Sequence, residues 1–138
     1  AGASVAGAGT VKMSSGAVNV AGGYTPTATV IDGGTANFNA ATSVGGGLLL
    51  SGGVLGGSGT VTIGGAVSQW TGGAMSGTGS TVFGSGNALE ISGTASKSFT
   101  QRTLTLGGLT TWSGGQVNAG GGGTVNNSGT LDIEANAS

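Results

Sequence analysis

LLLSGGVLGGSGTVTIGGAVSQWTGGAM, running from Leu48 to Met75, decides the fold because its parts return elsewhere in the chain at a fixed distance. LLLSGGV (Leu48–Val54) comes back as LEISGTA (Leu89–Ala95), and QWTGGAM (Gln69–Met75) comes back as TWSGGQV (Thr111–Val117), at nearly the same separation. That period halves. GGVLGGSGTV from Gly52 aligns with GGAMSGTGST from Gly72, and SGAVNV from Ser15 with GGTANF from Gly33. Leu89 and Ile91 of LEI are echoed by Leu131 and Ile133 of LDI, two units on. Each unit is therefore about 18–21 residues long, and a fixed period of this size marks stacked structural repeats before any local propensity is weighed. The whole chain of 138 residues holds six to seven such units.

Inside a unit, apolar residues alternate with small polar ones over three to five positions, as in Thr60-Val-Thr-Ile63 and Thr103-Leu-Thr-Leu106. This is the period of a strand, with no helical stripe competing. Gly pairs follow the short strands, at Gly33-Gly34, Gly52-Gly53, Gly64-Gly65, Gly72-Gly73, Gly107-Gly108 and Gly114-Gly115. They suit corners that need a positive φ or a close backbone approach. A unit of this length cannot enclose a core alone, but its strands can pair with the equivalent strands above and below.

The expected fold is an all-β, single-stranded β-helix: a β-solenoid of about six to seven coils, each of about 18–21 residues. Residues 1–138 are expected to form one segment cut from a longer chain. At roughly 4.8 Å per coil the rod is about 30 Å long. Its inward columns are expected to hold Val11, Met13, Val18, Val20, Ile31, Phe38, Leu48, Leu50, Leu55, Val61, Ile63, Met75, Val82, Leu89, Ile91, Leu104, Leu106, Val117, Val125, Leu131 and Ile133. Both bare ends call for capping segments, flanking coils or self-association.

Composition narrows the function classes. Thirty-four residues are Gly, six are aromatic and seven are charged, for a net charge of −1. So few basic residues leave no electrostatic footprint for nucleic acid or anionic lipid, and no apolar run approaches a membrane span. The absence of Cys excludes disulfides and thiolate metal sites, and with His also absent there is no serine triad of the usual kind. The chain is read as a non-enzyme that uses no cofactor and no metal. Asp32 and Asp132 stand alone without the Gly-rich aspartate repeat of calcium-binding solenoids, and Gly-rich fragments such as GTGSTVFG (Gly77–Gly84) lack the helix that a phosphate loop opens.

Three constellations remain. Glu90 and Asp132 occupy equivalent positions two coils apart, about 10 Å by strand spacing, near the separation of an inverting glycosidase pair. Both sit mid-strand on an outward face, where nothing raises a pKa, and Lys12 and Thr62 read as the same outward position. Tyr24, Trp70 and Trp112 are the candidate glycan contacts, since outward rings could stack on sugars. Against this stands a core or corner role; Val67 with Trp70 and Leu109 with Trp112 have opposite strand parity, so either a bend intervenes or the indoles face out. Lastly, Thr60-Val-Thr62 and Thr103-Leu-Thr105 are similar to the TxT arrays of ice-binding solenoids, with Glu90 and Asp132 read as breaks in that lattice.

At YTPTATVIDGGTANFN, LLLSGGVLGGSGTVTI, WTGGAMSGTGSTV and TWSGGQVNAGGGGTVNNSGTLDI the chain resembles the Gly-rich repeats of large bacterial surface proteins, namely autotransporter passengers and filamentous-haemagglutinin-like adhesins. The resemblance covers most of residues 24 to 134 and is one of pattern. It implies a right-handed β-helix, export to the cell surface or beyond, and a role in attachment, biofilm matrix or projection. No functional residue carries over, because the recurring motif is structural. The leading expectation is a rigid stalk or contact surface. A self-assembling filament is the alternative, and a polysaccharide-active or ice-binding β-helix ranks behind both. Expected partners are neighbouring coils, copies of the chain itself, or matrix glycans.

Overall fold

The computed structural model describes residues 4–134, which contain strands and turns and no helix. The first coil is β1 (Val5–Met13) and β2 (Ala17–Val20), the second β3 (Tyr24–Phe38) and β4 (Thr42–Val44), the third β5 (Leu48–Gly56) and β6 (Thr60–Ile63). The fourth is β7 (Val67–Trp70), β8 (Gly73–Ser76) and β9 (Ser80–Phe83), and the fifth β10 (Ala88–Ile91), β11 (Lys97–Thr100) and β12 (Thr103–Leu106). The sixth is β13 (Leu109–Trp112), β14 (Val117–Gly120) and β15 (Thr124–Asn127), and β16 (Thr130–Ile133) opens a seventh. The chain is a β-solenoid of about six turns, and its strand pairs are parallel.

Each coil has three faces. β1, the first half of β3, the first half of β5, β7, β10, β13 and β16 stack as the first. β2, the later halves of β3 and β5, β8, β11 and β14 stack as the second. β4, β6, β9, β12 and β15 form the third, a separate five-stranded sheet. On the first face Met13, Ile31, Leu50, Trp70, Ile91, Trp112 and Ile133 form one inward column. Its spacing in sequence widens by one position per coil as far as Ile91 and is constant from there on.

A second inward column runs beside it, through Leu48, Ser68, Leu89, Thr110 and Leu131. The two columns compensate each other in volume. Coils with Trp70 or Trp112 carry Ser68 or Thr110 two residues earlier, and coils with Ile91 or Ile133 carry Leu89 or Leu131. From the third coil onward large-plus-small alternates with medium-plus-medium, which keeps the combined volume of the two columns similar from coil to coil. This alternation is why the strongest sequence match spans two coils rather than one. It also settles the parity of the indoles: Ser68 and Thr110 are the buried partners of the tryptophans, while Val67 and Leu109 point outward and are about half exposed.

Of the expected core, Met13, Val20, Ile31, Phe38, Leu48, Leu50, Leu55, Val61, Ile63, Met75, Leu89, Ile91, Leu104 and Leu106 are buried, and Val11, Val117 and Leu131 pack against them. Each fully buried side chain contributes roughly 1.5–3 kcal/mol. Val18, Val125 and Ile133 occupy inward columns but are exposed in the first and last coils of the described residues. Val82 is a correction. It pairs with Thr62 and Thr105 in an outward column, and Thr81 and Phe83 take the inward places.

Corner glycines are dictated by the stacking itself. Gly16, Gly34, Gly53 and Gly73 turn the same corner in successive coils with φ of 73°, 67°, 65° and 76°. A methyl group on Gly53 would lie 2.5 Å from the carbonyl oxygen of Gly34 directly below, and one on Gly73 would lie 2.6 Å from that of Gly53. Both the left-handed backbone and the close approach demand Gly.

The volume alternation makes a double-mutant prediction. Trp112→Ile leaves a void and is expected to cost on the order of 2 kcal/mol or more, and Thr110→Leu alone overpacks its layer at about 1–3 kcal/mol. Together they convert this coil to the medium-plus-medium type, and chemical denaturation should show the pair less destabilising than the sum of the singles. Simple additivity would contradict the alternation.

Candidate contact faces and buried cations

The expected sugar-stacking rings lie within the solenoid. Tyr24 is 2% exposed; its hydroxyl is 2.9 Å from Thr29 Oγ1, and its ring meets Phe38 edge-on at 5.3 Å. Burial pushes the Tyr24 phenol up, against a smaller lowering by the Thr29 hydrogen bond. Trp70 is fully buried. Its Nε1 finds no acceptor among the described residues, so this indole is placed by packing alone. Trp112 is half-buried against the core, and its Nε1 donates to the Gly115 carbonyl at 2.9 Å. Tyr24 and Trp70 therefore offer no ring face to a sugar, and Trp112 is tied into its own corner.

Two of the three cationic side chains are also inside, a placement not expected from the sequence. Arg102, at the corner between β11 and β12, is a tie across coils. Its Nε donates to Thr81 Oγ1 at 2.8 Å, Nη1 to the carbonyls of Gly57 at 3.1 Å and Ser76 at 2.9 Å, and Nη2 to that of Ser80 at 3.1 Å. Desolvation pushes the guanidinium down to about 10, so it remains charged at neutral pH. Its demand for an acceptor explains why Thr81, not Val82, turns inward. Lys97 is buried at the start of β11, with Nζ donating to the carbonyls of Ala95 at 3.0 Å and Gly114 at 3.3 Å, and burial pushes its pKa down. A methyl on Gly115 would lie 2.5 Å from that Nζ, so this glycine makes room for the ammonium. The available signal was parity: Lys97 shares its strand face with the buried Phe99, and its register neighbours are Gly73 and Val117.

The exposed charges are confined to one side. Lys12, Asp32, Glu90, Asp132 and Glu134 all lie on the first face or the bend leaving it. Lys12 Nζ and Asp32 Oδ2 are 2.8 Å apart, and that hydrogen bond, helped by Ser14, holds the Asp32 carboxyl below its usual range. Glu90 and Asp132 do share one outward column, separated by Thr111. Both are exposed, and Glu90 accepts a hydrogen bond from Gln69 Nε2 at 3.1 Å. Among the described residues no three His, Cys, Asp or Glu side chains converge on a possible metal position.

The third face is an uncharged grid. Thr60, Ser80, Thr103 and Thr124 form one outward rank over four coils, and Ser43, Thr62, Val82, Thr105 and Asn126 form the other. The rungs are about 4.8 Å apart and alternate residues about 6.6 Å apart along each strand. Two expectations are corrected here. Lys12 and Thr62 are on different faces, and the hydroxyl grid is interrupted by Val82, not by Glu90 or Asp132, which lie on the first face. Short strands of similar pattern recur on all three sides of the coil, so the face of a given fragment depends on its place within the unit.

Comparison of the chain with protein-family models, with curated proteins and with solved structures finds no match.

Arg102 supplies the test of the interior. Arg102→Met keeps much of the volume but removes the donor from three carbonyls and the Thr81 hydroxyl, and should lower unfolding free energy by about 2–4 kcal/mol. Arg102→Lys should recover little, because one ammonium cannot reach acceptors spread over two coils. Equal stability of the Lys variant and the parent in urea would show that the fork geometry is not what matters.

Proposed function

We propose that this chain is a non-catalytic structural segment of an extracellular bacterial surface or matrix protein, a rigid β-solenoid stalk whose third face is its contact surface. One observation carries the reading. Exposed charge is gathered on the first face, while the third presents two straight ranks of small, mostly hydroxyl-bearing side chains. A flat, uncharged, hydrogen-bonding grid can lie against an extended polar surface such as a matrix glycan without desolvating ions. The two carboxylates in line on the first face are solvated, one occupied by Gln69, and no wall of buried groups separates their roles as glycoside hydrolysis needs. The placement at a bacterial surface rests on the resemblance of the repeats.

The unbroken rank of Thr60, Ser80, Thr103 and Thr124 also favours a second reading, that the third face binds ice, where a repeated hydroxyl lattice is required.

Thr62→Lys and Thr103→Lys place charge on the third face without touching the core. The expected outcome is loss of adhesion to glycan-coated surfaces at an unchanged melting temperature, with Glu90→Gln and Asp132→Asn adhering like the parent. Freezing-point hysteresis abolished by the same two Lys substitutions would select the ice-binding reading instead. Turnover on a glycan panel that disappears in Glu90→Gln or Asp132→Asn would overturn the non-catalytic one.

A further inference from the structure

The outward column of the first face is self-complementary when reversed. It runs through Lys12, Val30, Leu49, Gln69 and Glu90 over five successive coils. Leu49 stands in the middle, with a cation two coils to one side and an acid two coils to the other. Thr10, Ala28, Gly47, Val67 and Ala88 form the outward column beside it. Around Gly47 lies an open hollow of about 300 Å³, with Ala28, Val30, Leu49 and Val67 in its wall.

We propose that this face docks on the same face of a second copy, the two rods lying side by side and antiparallel about a two-fold axis that runs along the strands at Leu49. Such an axis sets each column against itself and reverses the order of the coils. Lys12 of each copy then meets Glu90 of the other, Val30 meets Gln69, Val67 covers Ala28, and the two Leu49 side chains meet over the hollows at Gly47. Asp32 comes opposite the neutral bend at Thr71, so no like charges are opposed within the overlap. Asp132 and Glu134 lie outside it.

Three observations favour a second copy as the occupant. First, Val67 and Leu109, 51% and 50% exposed, both point outward from this face, and Val30 and Leu49 are partly exposed on it. An apolar centre inside a polar rim is the layout of a protein interface. Second, the rim carries both signs of charge. A ligand of one sign leaves either Lys12 or Glu90 unmatched, whereas a reversed copy matches both. Third, the contacts these charges already make leave them accessible: the Lys12 side chain is 59% exposed although its Nζ is 2.8 Å from Asp32, and Glu90 is exposed although it accepts a hydrogen bond from Gln69. Exposed pairs of this kind set orientation and partner choice more than affinity.

The overlap of five rungs by four residues covers about 24 by 13 Å. That is roughly 300 Å² on each copy, well under the ~800 Å² per partner of a standard stable complex. The pairing is therefore weak and builds up where chains are concentrated. It is independent of what the third face binds.

Sedimentation equilibrium of the full chain at rising concentration should show monomer passing to dimer and no further. Lys12→Glu and Glu90→Lys should each raise the dissociation constant at least about tenfold, because each alters two symmetry-related contacts, with the circular dichroism of the dilute protein unchanged. An equimolar mixture of the two variants should pair again, since one then carries acids and the other bases at both positions. The axis is read separately. The chain has no Cys, so a Leu49→Cys variant treated with a short bismaleimide should give covalent dimers, and a Val82→Cys variant, labelled on the third face, should not. A monomer at every concentration, dimers indifferent to both charge reversals, a mixture that fails to pair, or cross-linking through Val82→Cys as efficient as through Leu49→Cys would each overturn the proposal.

Discussion

Parallel backbone pairing between residues about twenty positions apart is the constraint on which everything else depends. Once one segment is laid on its predecessor in register, every side chain faces its own equivalent above and below. Columns must then be compatible along their whole length, and the cross-section is fixed by what a single coil can enclose. Corners feel this most. At Gly34, Gly53 and Gly73 the carbonyl of the coil beneath comes so close that a methyl group has no place, which ties the glycine content to the stacking rather than to flexibility.

Much of this was legible in the sequence, because two periods are superimposed there. The period of two within a strand and of about twenty between strands together pick out columns such as Ile31, Leu50 and Ile91. Where the reading failed, a specific interaction overrode the pattern. Val82 looks like a core residue in STVF, but Arg102 requires the hydroxyl of Thr81 on the inside, and the strand turns its other side inward. The indoles were ambiguous because their small partners, Ser68 and Thr110, attract no notice in a sequence rich in such residues, whereas Val67 and Leu109 do. The assignment of faces was not legible at all. TVTI and LEIS have the same local form, and only the long-range register puts one on the third face and the other on the first.

The buried cations show what the ladder cannot do for itself. Strand backbone is satisfied by the coils above and below, but carbonyls at and beside the corners also take side-chain donors. Arg102 reaches three such carbonyls from two different turns, and Lys97 reaches two more. In a chain with few charged residues, placing two of them inside is effective: each supplies several donors on one side chain, and carbonyl oxygens replace the water that the charge gives up. Charge on this protein is divided between interior scaffolding and a single outer side, leaving the remaining exterior neutral.

The layering of Trp70, Ile91, Trp112 and Ile133 has a consequence for how such a chain can change length over time. Excising one coil, Thr71 to Ile91, would set Trp70 directly against Trp112, and excising Ser92 to Trp112 would set Ile91 against Ile133. Gain or loss of both coils at once preserves the order. From the third coil onward the layer order is therefore kept by duplication or excision in blocks of about forty-two codons, whereas the first three coils, where Met13, Ile31 and Leu50 stack without an indole, place no such condition on the gain or loss of a single turn.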